Sequence, residues 1–115
     1  YHLYYLANNS NAPLFKDKAF KVIYLTDSGA YPNTLRAPNY HIYLLEMNYL
    51  ESSIHEDIQK EIDEVGFSHR MRSLEDHLSM EQTERWYSVQ DSQGVIIPLH
   101  MSRIYKEIIL EKYGL

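Results

Sequence analysis

Short apolar runs that each lead into polar residues form the main pattern of this chain. The clearest runs cover residues 22–25, 42–45 and 95–99, and they are rich in β-branched and aromatic side chains. Such runs are typical of strands buried on both faces. Asp27, Glu46 and His100 follow these runs almost directly. Because parallel strands end at one sheet edge, where α/β folds collect ligands, the pattern predicts a site there. Polar residues end most strands, so a structural interpretation stays open.

Four strands are predicted, at residues 3–6, 20–26, 41–46 and 95–99, and helices are predicted between and after the last two. Ser53 is the predicted N-cap of a first helix that runs through Val65, and Gly66 is its predicted C-cap. The helix should pack on the sheet through one apolar stripe, formed by Ile54, Ile58, Ile62 and Val65.

Two further helices are predicted from capping residues. Ser79-Met80-Glu81-Gln82 has the spacing of a capping box, and the helix it opens should end near Val89. Ser102 is the predicted cap of a last helix that runs through about Lys112. Residues 67–76, between the first two helices, are predicted to be irregular.

Composition bounds the class of protein. With 115 residues, 44% of them hydrophobic and 23% charged, the chain is predicted to be a single α/β domain over residues 1–115. No run approaches the roughly 20 apolar residues of a membrane helix and no signal peptide is visible, so we expect a cytoplasmic protein without membrane contact. The net charge of −5 argues against a broad basic face for nucleic acid, although a local one is compatible with it. The chain has no cysteine, so histidines and carboxylates must hold any metal.

Four residues are candidates for chemistry: Asp27, Glu46, His77 and His100. Asp27 could ligate a metal or cap a turn, and Glu46 and His100 each end a strand. His77 precedes a predicted helix N-terminus, where partial positive charge favours a neutral imidazole and attracts anions. Taken singly, each residue is more often structural than functional. The remaining histidines lack such surroundings and are interpreted as solvated or structural: His2, His41, His55 and His69.

Four short motifs, in this order, carry a resemblance to a known family: Thr26-Asp27-Ser28-Gly29, Glu46-Met47-Asn48-Tyr49, His77-Leu78-Ser79 and His100-Met101-Ser102. The chain resembles the carboxyl-terminal half of a metallo-β-lactamase-fold hydrolase, nearest to the ribonuclease Z-like and phage or bacterial exonuclease-like branches. The resemblance implies half of an αββα sandwich, with a mixed sheet covered by helices.

The resemblance also implies roles for the four candidates. Asp27 would bridge two zinc ions in the complete fold, and His100 would be a terminal ligand of the second. His77 would contact the scissile phosphate or assist the leaving group. Glu46 would orient a metal ligand without binding the metal itself. The implied reaction is hydrolysis by a metal-bound hydroxide, with a phosphodiester or nucleic acid as substrate.

The family's His-x-His-x-Asp-His cluster does not occur in the 115 residues. Asp27 and His100 alone are too few ligands for a stable catalytic zinc, so the isolated chain is expected to bind zinc weakly or not at all. Two hypotheses follow. In the first, an amino-terminal half outside this chain carries the cluster and completes a zinc-dependent hydrolase. In the second, the chain is a non-catalytic half-domain that assembles with a partner or with itself through an exposed apolar sheet face.

Overall fold

Four strands form one mixed sheet. The computed structural model describes residues 2–9, 19–26, 29–31 and 34–115. The strands are β1 (His2–Asn9), β2 (Ala19–Thr26), β3 (Ile42–Glu46) and β4 (Val95–Leu99), and they follow this order across the sheet. β1 pairs antiparallel with β2, whereas β2, β3 and β4 run parallel. The predictions of an α/β fold and of a mixed sheet are confirmed.

Helices connect β3 to β4 and follow β4. In the described part of the chain they are α1 (Glu51–Val65), α2 (Met71–Asp76), α3 (Met80–Ser88) and α4 (Lys106–Lys112). The predicted capping box of α3 is confirmed, because Ser79 Oγ accepts from the Gln82 amide while Gln82 Oε1 accepts from the Ser79 amide. Gly66 ends α1 as predicted, at a φ of 84° that favours glycine.

The prediction that Ser53 caps α1 is wrong. The helix begins at Glu51, and its N-cap residue makes no side-chain capping bond. The free amides of the first turn are satisfied from another helix instead. The Glu81 carboxylate of α3 accepts from the backbone amides of Glu51 and Ser52, each at 3.0 Å. A carboxylate at this position also complements the helix dipole. This contact therefore links the N-terminal turn of α1 to the N-terminal turn of α3.

Three other local predictions are corrected. The stretch expected to be irregular contains α2, which is held by Leu74 packing against a hydrophobic cluster. Ser102 does not cap α4: its carbonyl accepts from the Tyr105 amide in a turn, and the helix begins only at Lys106. The stripe on α1 ends at Ile62, because Val65 is 58% exposed beyond the end of the core cluster.

The two faces of the sheet differ in burial. Ile23 and Leu25 of β2 pair in register with Tyr43 and Leu45 of β3, all four side chains are at most 1% exposed, and Trp86 of α3 covers them. Burial of each aliphatic side chain contributes roughly 2 kcal/mol. Alternation along the strands places another apolar set on the opposite face, and these side chains are only partly buried: Val22, Tyr24, Ile42, Leu44 and Ile97.

Together these five side chains form the open face of the sheet. None of its residues belongs to either hydrophobic cluster found among the described residues. Val95, which pairs with Ile42 at the edge of this face, is 61% exposed. Helices therefore cover one side of the sheet, in contrast to a sheet that is covered on both sides. No helix within the described residues is long and apolar enough to cross a bilayer.

Candidate active site at the carboxyl edge of the sheet

The parallel strands bring their polar ends to one level. Leu25 pairs with Leu45 and Glu46 pairs with Leu99, so β2, β3 and β4 end at the same edge. Glu46 is the last residue of β3, and His100 follows β4 directly. A third side chain, His77, reaches this edge from the segment between α2 and α3.

One carboxylate oxygen joins the two histidines. Glu46 Oε1 lies 2.6 Å from Nδ1 of His77 and 2.7 Å from Nδ1 of His100. The imidazole rings are 5.0 Å apart between centroids and nearly perpendicular, at 76°. Potential metal-ligating atoms of the three side chains all lie within 4.8 Å of one another. The structure thus brings together three of the four residues singled out in the sequence.

Burial makes the partners of Glu46 important. Its side chain is fully buried, whereas the His77 and His100 side chains are 27% and 45% exposed. A carboxylate withdrawn from water must be compensated, and the two imidazoles do this through hydrogen bonds to Oε1. Because a carboxylate oxygen accepts, each Nδ1 donates. In its neutral form, such a ring carries its lone pair on Nε2, the nitrogen turned away from this bond.

His77 is placed by the residues on either side of it. Its amide donates to the Ser73 carbonyl at the end of α2, and its backbone then becomes extended. Ser79, two residues later, forms an isolated parallel bridge with Tyr49 and caps α3. Leu78 between them is 1% exposed. The backbone of His77 is therefore held between a helix end and a helix start; the sequence predicts the start of α3, whereas α2 before it is not predicted.

His100 occupies an unusual backbone conformation. Its φ is 58°, in the left-handed region that is uncommon for residues other than glycine, although asparagine, aspartate and histidine are found there more often than most. This conformation turns the chain sharply away from β4 as the strand ends. Such a residue costs on the order of 1 kcal/mol or more and persists where its surroundings hold it in place.

A buried hydrogen-bond chain supports the backbone of Glu46. Thr83 Oγ1 in α3 donates to the Glu46 carbonyl at 2.7 Å, and Tyr31 lies 3.0 Å from the same hydroxyl. Thr83 has a single proton and gives it to the carbonyl, so Tyr31 must donate to Thr83. Burial raises the pKa of Tyr31, and the nearby charge of Glu46 acts in the same direction. The phenol therefore keeps the proton that this chain requires.

Asp27, the predicted bridging ligand, lies outside the described residues. The parts of its motif on either side are described: Thr26 is buried at the end of β2, and Gly29 packs against the segment before His77. A Cβ at Gly29 would collide with the carbonyl oxygen of Glu75, so only glycine fits this approach. This contact joins the loop after β2 to the end of α2.

The histidines predicted to be solvated or structural lie away from this group where their side chains are described. His41 is exposed and its Nδ1 accepts from the Lys21 amide at 3.0 Å. His55 on α1 and His69 before α2 are both exposed. His2 lies in β1, and its side chain is outside the described part.

Sequence reasoning missed the residues that support Glu46. Thr83 contacts Glu46 from 37 positions away in the chain, and Tyr31 contacts Thr83 from 52 positions away. No local sequence pattern predicts contacts at such distances. Comparison with protein-family models, with curated proteins and with solved structures finds no match to this chain.

Proposed function

We propose that this chain is the carboxyl-terminal part of a zinc-dependent hydrolase with a metallo-β-lactamase-type αββα fold, acting on phosphodiesters or nucleic acid in the cytoplasm. The observation that supports this most is the fully buried Glu46 carboxylate within 2.7 Å of both His77 and His100. A purely structural role needs no such convergence of three chemistry-bearing side chains from three separate segments.

The proposed roles follow from which ring nitrogen is engaged. Glu46 holds Nδ1 of both imidazoles, which fixes the rings and makes Nε2 the nitrogen that would bind a metal or contact a substrate. His100, together with Asp27, is proposed to hold zinc. His77 is proposed to contact the scissile phosphate or the leaving group. Glu46 then orients both rings and touches neither substrate nor product.

The donor set suits zinc. Imidazole nitrogen and carboxylate oxygen are the ligands left to a protein without cysteine, and both are common in catalytic zinc sites. Zinc bound here would supply Lewis acidity, an activated water and neutralisation of phosphate charge. The chain's own contribution is to place and orient the imidazoles, and to keep Glu46 out of water.

A groove beside the site favours an anionic substrate. Its volume is about 550 Å³, and its walls include Leu78, which follows His77, and the cations Arg36 and Arg85. Arg85 also pairs with Glu51 at 2.9 Å while remaining 63% exposed, so it can turn toward a phosphate at little cost. The two guanidinium groups lie on the wall of this groove, which Glu46, His77 and His100 do not line themselves.

The test compares His77→Ala with His100→Ala in a protein that contains this chain and a segment bearing His-x-His-x-Asp-His. His77→Ala should keep the zinc content and lose turnover of a generic phosphodiester by about a hundredfold or more. His100→Ala should lose zinc and turnover together, because it removes a ligand. Full activity of His77→Ala would contradict the phosphodiesterase assignment.

A second candidate function is assembly without catalysis, and the open face favours it. Ile42 and Leu44 of β3 lie on this face with Val22 and Tyr24 of β2. Alternation along β3 places Glu46 on the same side, so a partner covering the face would border the candidate site. The partner is proposed to be an amino-terminal half or a second copy of the chain. An inert assembly that binds no zinc would favour this candidate over the hydrolase.

A further inference from the structure

Asn48 is bonded to both segments that carry the histidines. Its backbone amide donates to the Leu78 carbonyl at 2.8 Å, next to His77. Its carbonyl accepts from the Ser102 amide, also at 2.8 Å. Its side-chain Nδ2 donates to the carbonyl oxygen of His100 itself, again at 2.8 Å. The first two bonds are available to any residue with a backbone amide and carbonyl, whereas the third depends on the side chain.

The bond from Asn48 to His100 coincides with the left-handed backbone of His100, whose φ is 58°. A carbonyl oxygen can only accept, so the amide nitrogen must face it and the orientation of the Asn48 side chain is determined. Such a backbone conformation persists where contacts hold it, and the amide is a direct contact of this kind.

The rest of the Asn48 side chain serves no comparable purpose. Asn48 is 8% exposed, and within the described residues its buried Oδ1 has no hydrogen-bond partner. An unsatisfied buried amide oxygen costs stability, so a chain needing only an apolar filler here would be more stable without it. The side chain is held through its nitrogen, and that nitrogen is directed at His100.

We infer that Asn48 is a positioning residue, which fixes the turn at His100 so that the imidazole meets Glu46. This inference rests on the proposed function for its biological purpose, because it assigns Asn48 to the same site. It does not place Asn48 in contact with metal or substrate.

The informative substitution is Asn48→Asp. It keeps the shape and both backbone bonds, removes the Nδ2 donor and puts a carboxylate oxygen against the His100 carbonyl. Gln90→Glu is the matched control, because Gln90 is also a buried amide, 1% exposed, whose Nε2 donates to the Trp86 carbonyl at 2.9 Å. Both variants lose one buried amide donor, but only the first loses it at the site.

The primary measurement is nitrogen–proton correlation NMR of the imidazole rings in the 115-residue chain, without metal. In Asn48→Asp the His100 ring should lose the signature of a protonated, hydrogen-bonded Nδ1, while the His77 ring keeps it. Gln90→Glu should leave both rings unchanged. Unaltered His100 signals in Asn48→Asp would overturn the inference, as would equal changes in Gln90→Glu.

Two further outcomes are assigned in advance. If Asn48→Asp does not fold, Asn48→Ala is measured in the same way, since it removes the donor without adding a charge. Failure of both to fold, with Gln90→Glu folded, overturns the inference, because Asn48 would then serve the fold as a whole. In a protein that contains this chain and a segment bearing His-x-His-x-Asp-His, a zinc titration should show affinity lower by about tenfold or more for Asn48→Asp than for wild type. If that complete wild-type protein binds no zinc, the proposed function is contradicted, whereas the NMR result on Asn48 stands by itself.

Discussion

Glu46 Oε1 lies 2.7 Å from Nδ1 of His100, a contact between residues that are 54 positions apart in the chain. The parallel pairing of β3 with β4 produces it, because Glu46 pairs with Leu99 and His100 is the next residue. The same oxygen reaches His77, so one buried carboxylate fixes two imidazoles. Removing this carboxylate should therefore disturb both rings at once.

The first prediction concerns Glu46→Gln. The amide keeps the size of the side chain and one acceptor oxygen but removes the negative charge, so it holds the two Nδ1–H groups that share Oε1 less strongly than the carboxylate does. We expect zinc affinity to fall by about 10–100-fold, the usual effect of losing a group that orients metal-binding histidines. The measurement is a zinc titration of a protein that contains this chain and a segment bearing His-x-His-x-Asp-His, with the NMR signals of the two rings as the readout.

Glu51→Gln is the control for that experiment, because Glu51 is an exposed carboxylate paired with Arg85. It removes the same charge from the chain and should leave zinc affinity unchanged. Equal zinc affinity in wild type and Glu46→Gln would mean that the carboxylate does not orient the metal-binding rings.

Helix caps give a second prediction. Ser79 Oγ accepts from the Gln82 amide at 3.0 Å, whereas Ser53 makes no N-cap bond because α1 is capped from Glu81. Ser79→Ala should lower the free energy of unfolding by about 1 kcal/mol. Ser53→Ala should change it by less than about 0.5 kcal/mol. Urea denaturation of both variants measures the difference, and a larger cost for Ser53→Ala would contradict the assigned caps.

Local patterns predicted the elements that local forces determine. The apolar run of β4 is found at Val95–Leu99, and the capping box of α3 needs only residues three positions apart. The start of α1 could not be predicted in this way, because its capping carboxylate comes from Glu81, 30 positions later. α2 was missed for a similar reason, since its Leu74 gains stability from a cluster built by distant residues.

The sequence predicts which residues form the candidate site but not the hydrogen bonds between them. Polar residues at strand ends singled out Glu46 and His100, and the helix start singled out His77. The contact of one oxygen with both rings depends on the register of β3 against β4, on a left-handed turn at His100, and on the segment between α2 and α3 that carries His77. A side chain's hydrogen-bond partner follows from packing, which a linear pattern does not record.

Alkaline pH supplies a third prediction. Burial raises the pKa of Tyr31, and burial together with a hydrogen bond to Asp57 raises the pKa of Tyr105. The unfolded chain ionises these two tyrosines near pH 10, whereas the folded chain resists their ionisation. The stability that they contribute is therefore complete below pH 10 and is lost as the pH rises above it.

Urea midpoints measured between about pH 8 and pH 11 should therefore fall at the alkaline end. Tyr105→Phe should flatten this fall, because the substitution removes an ionisable group that is 2% exposed. A midpoint that stays constant across the range would show that these hydroxyls ionise as easily in the folded chain as in the unfolded one.

The last prediction tests the open face. Leu44 lies on this face and is only partly buried, whereas its neighbour Leu45 is fully buried on the covered face. Leu44→Lys should leave the chain folded and abolish association through the sheet, because a charge cannot be buried against an apolar partner surface without a large cost. Leu45→Lys should instead unfold the chain by placing that charge in the core.

Sedimentation velocity over a range of concentrations measures association, and circular dichroism measures folding. If the wild-type chain stays monomeric throughout and Leu44→Lys sediments identically, a second copy of the chain is not the partner of this face, and an amino-terminal half becomes the only occupant that the proposal retains.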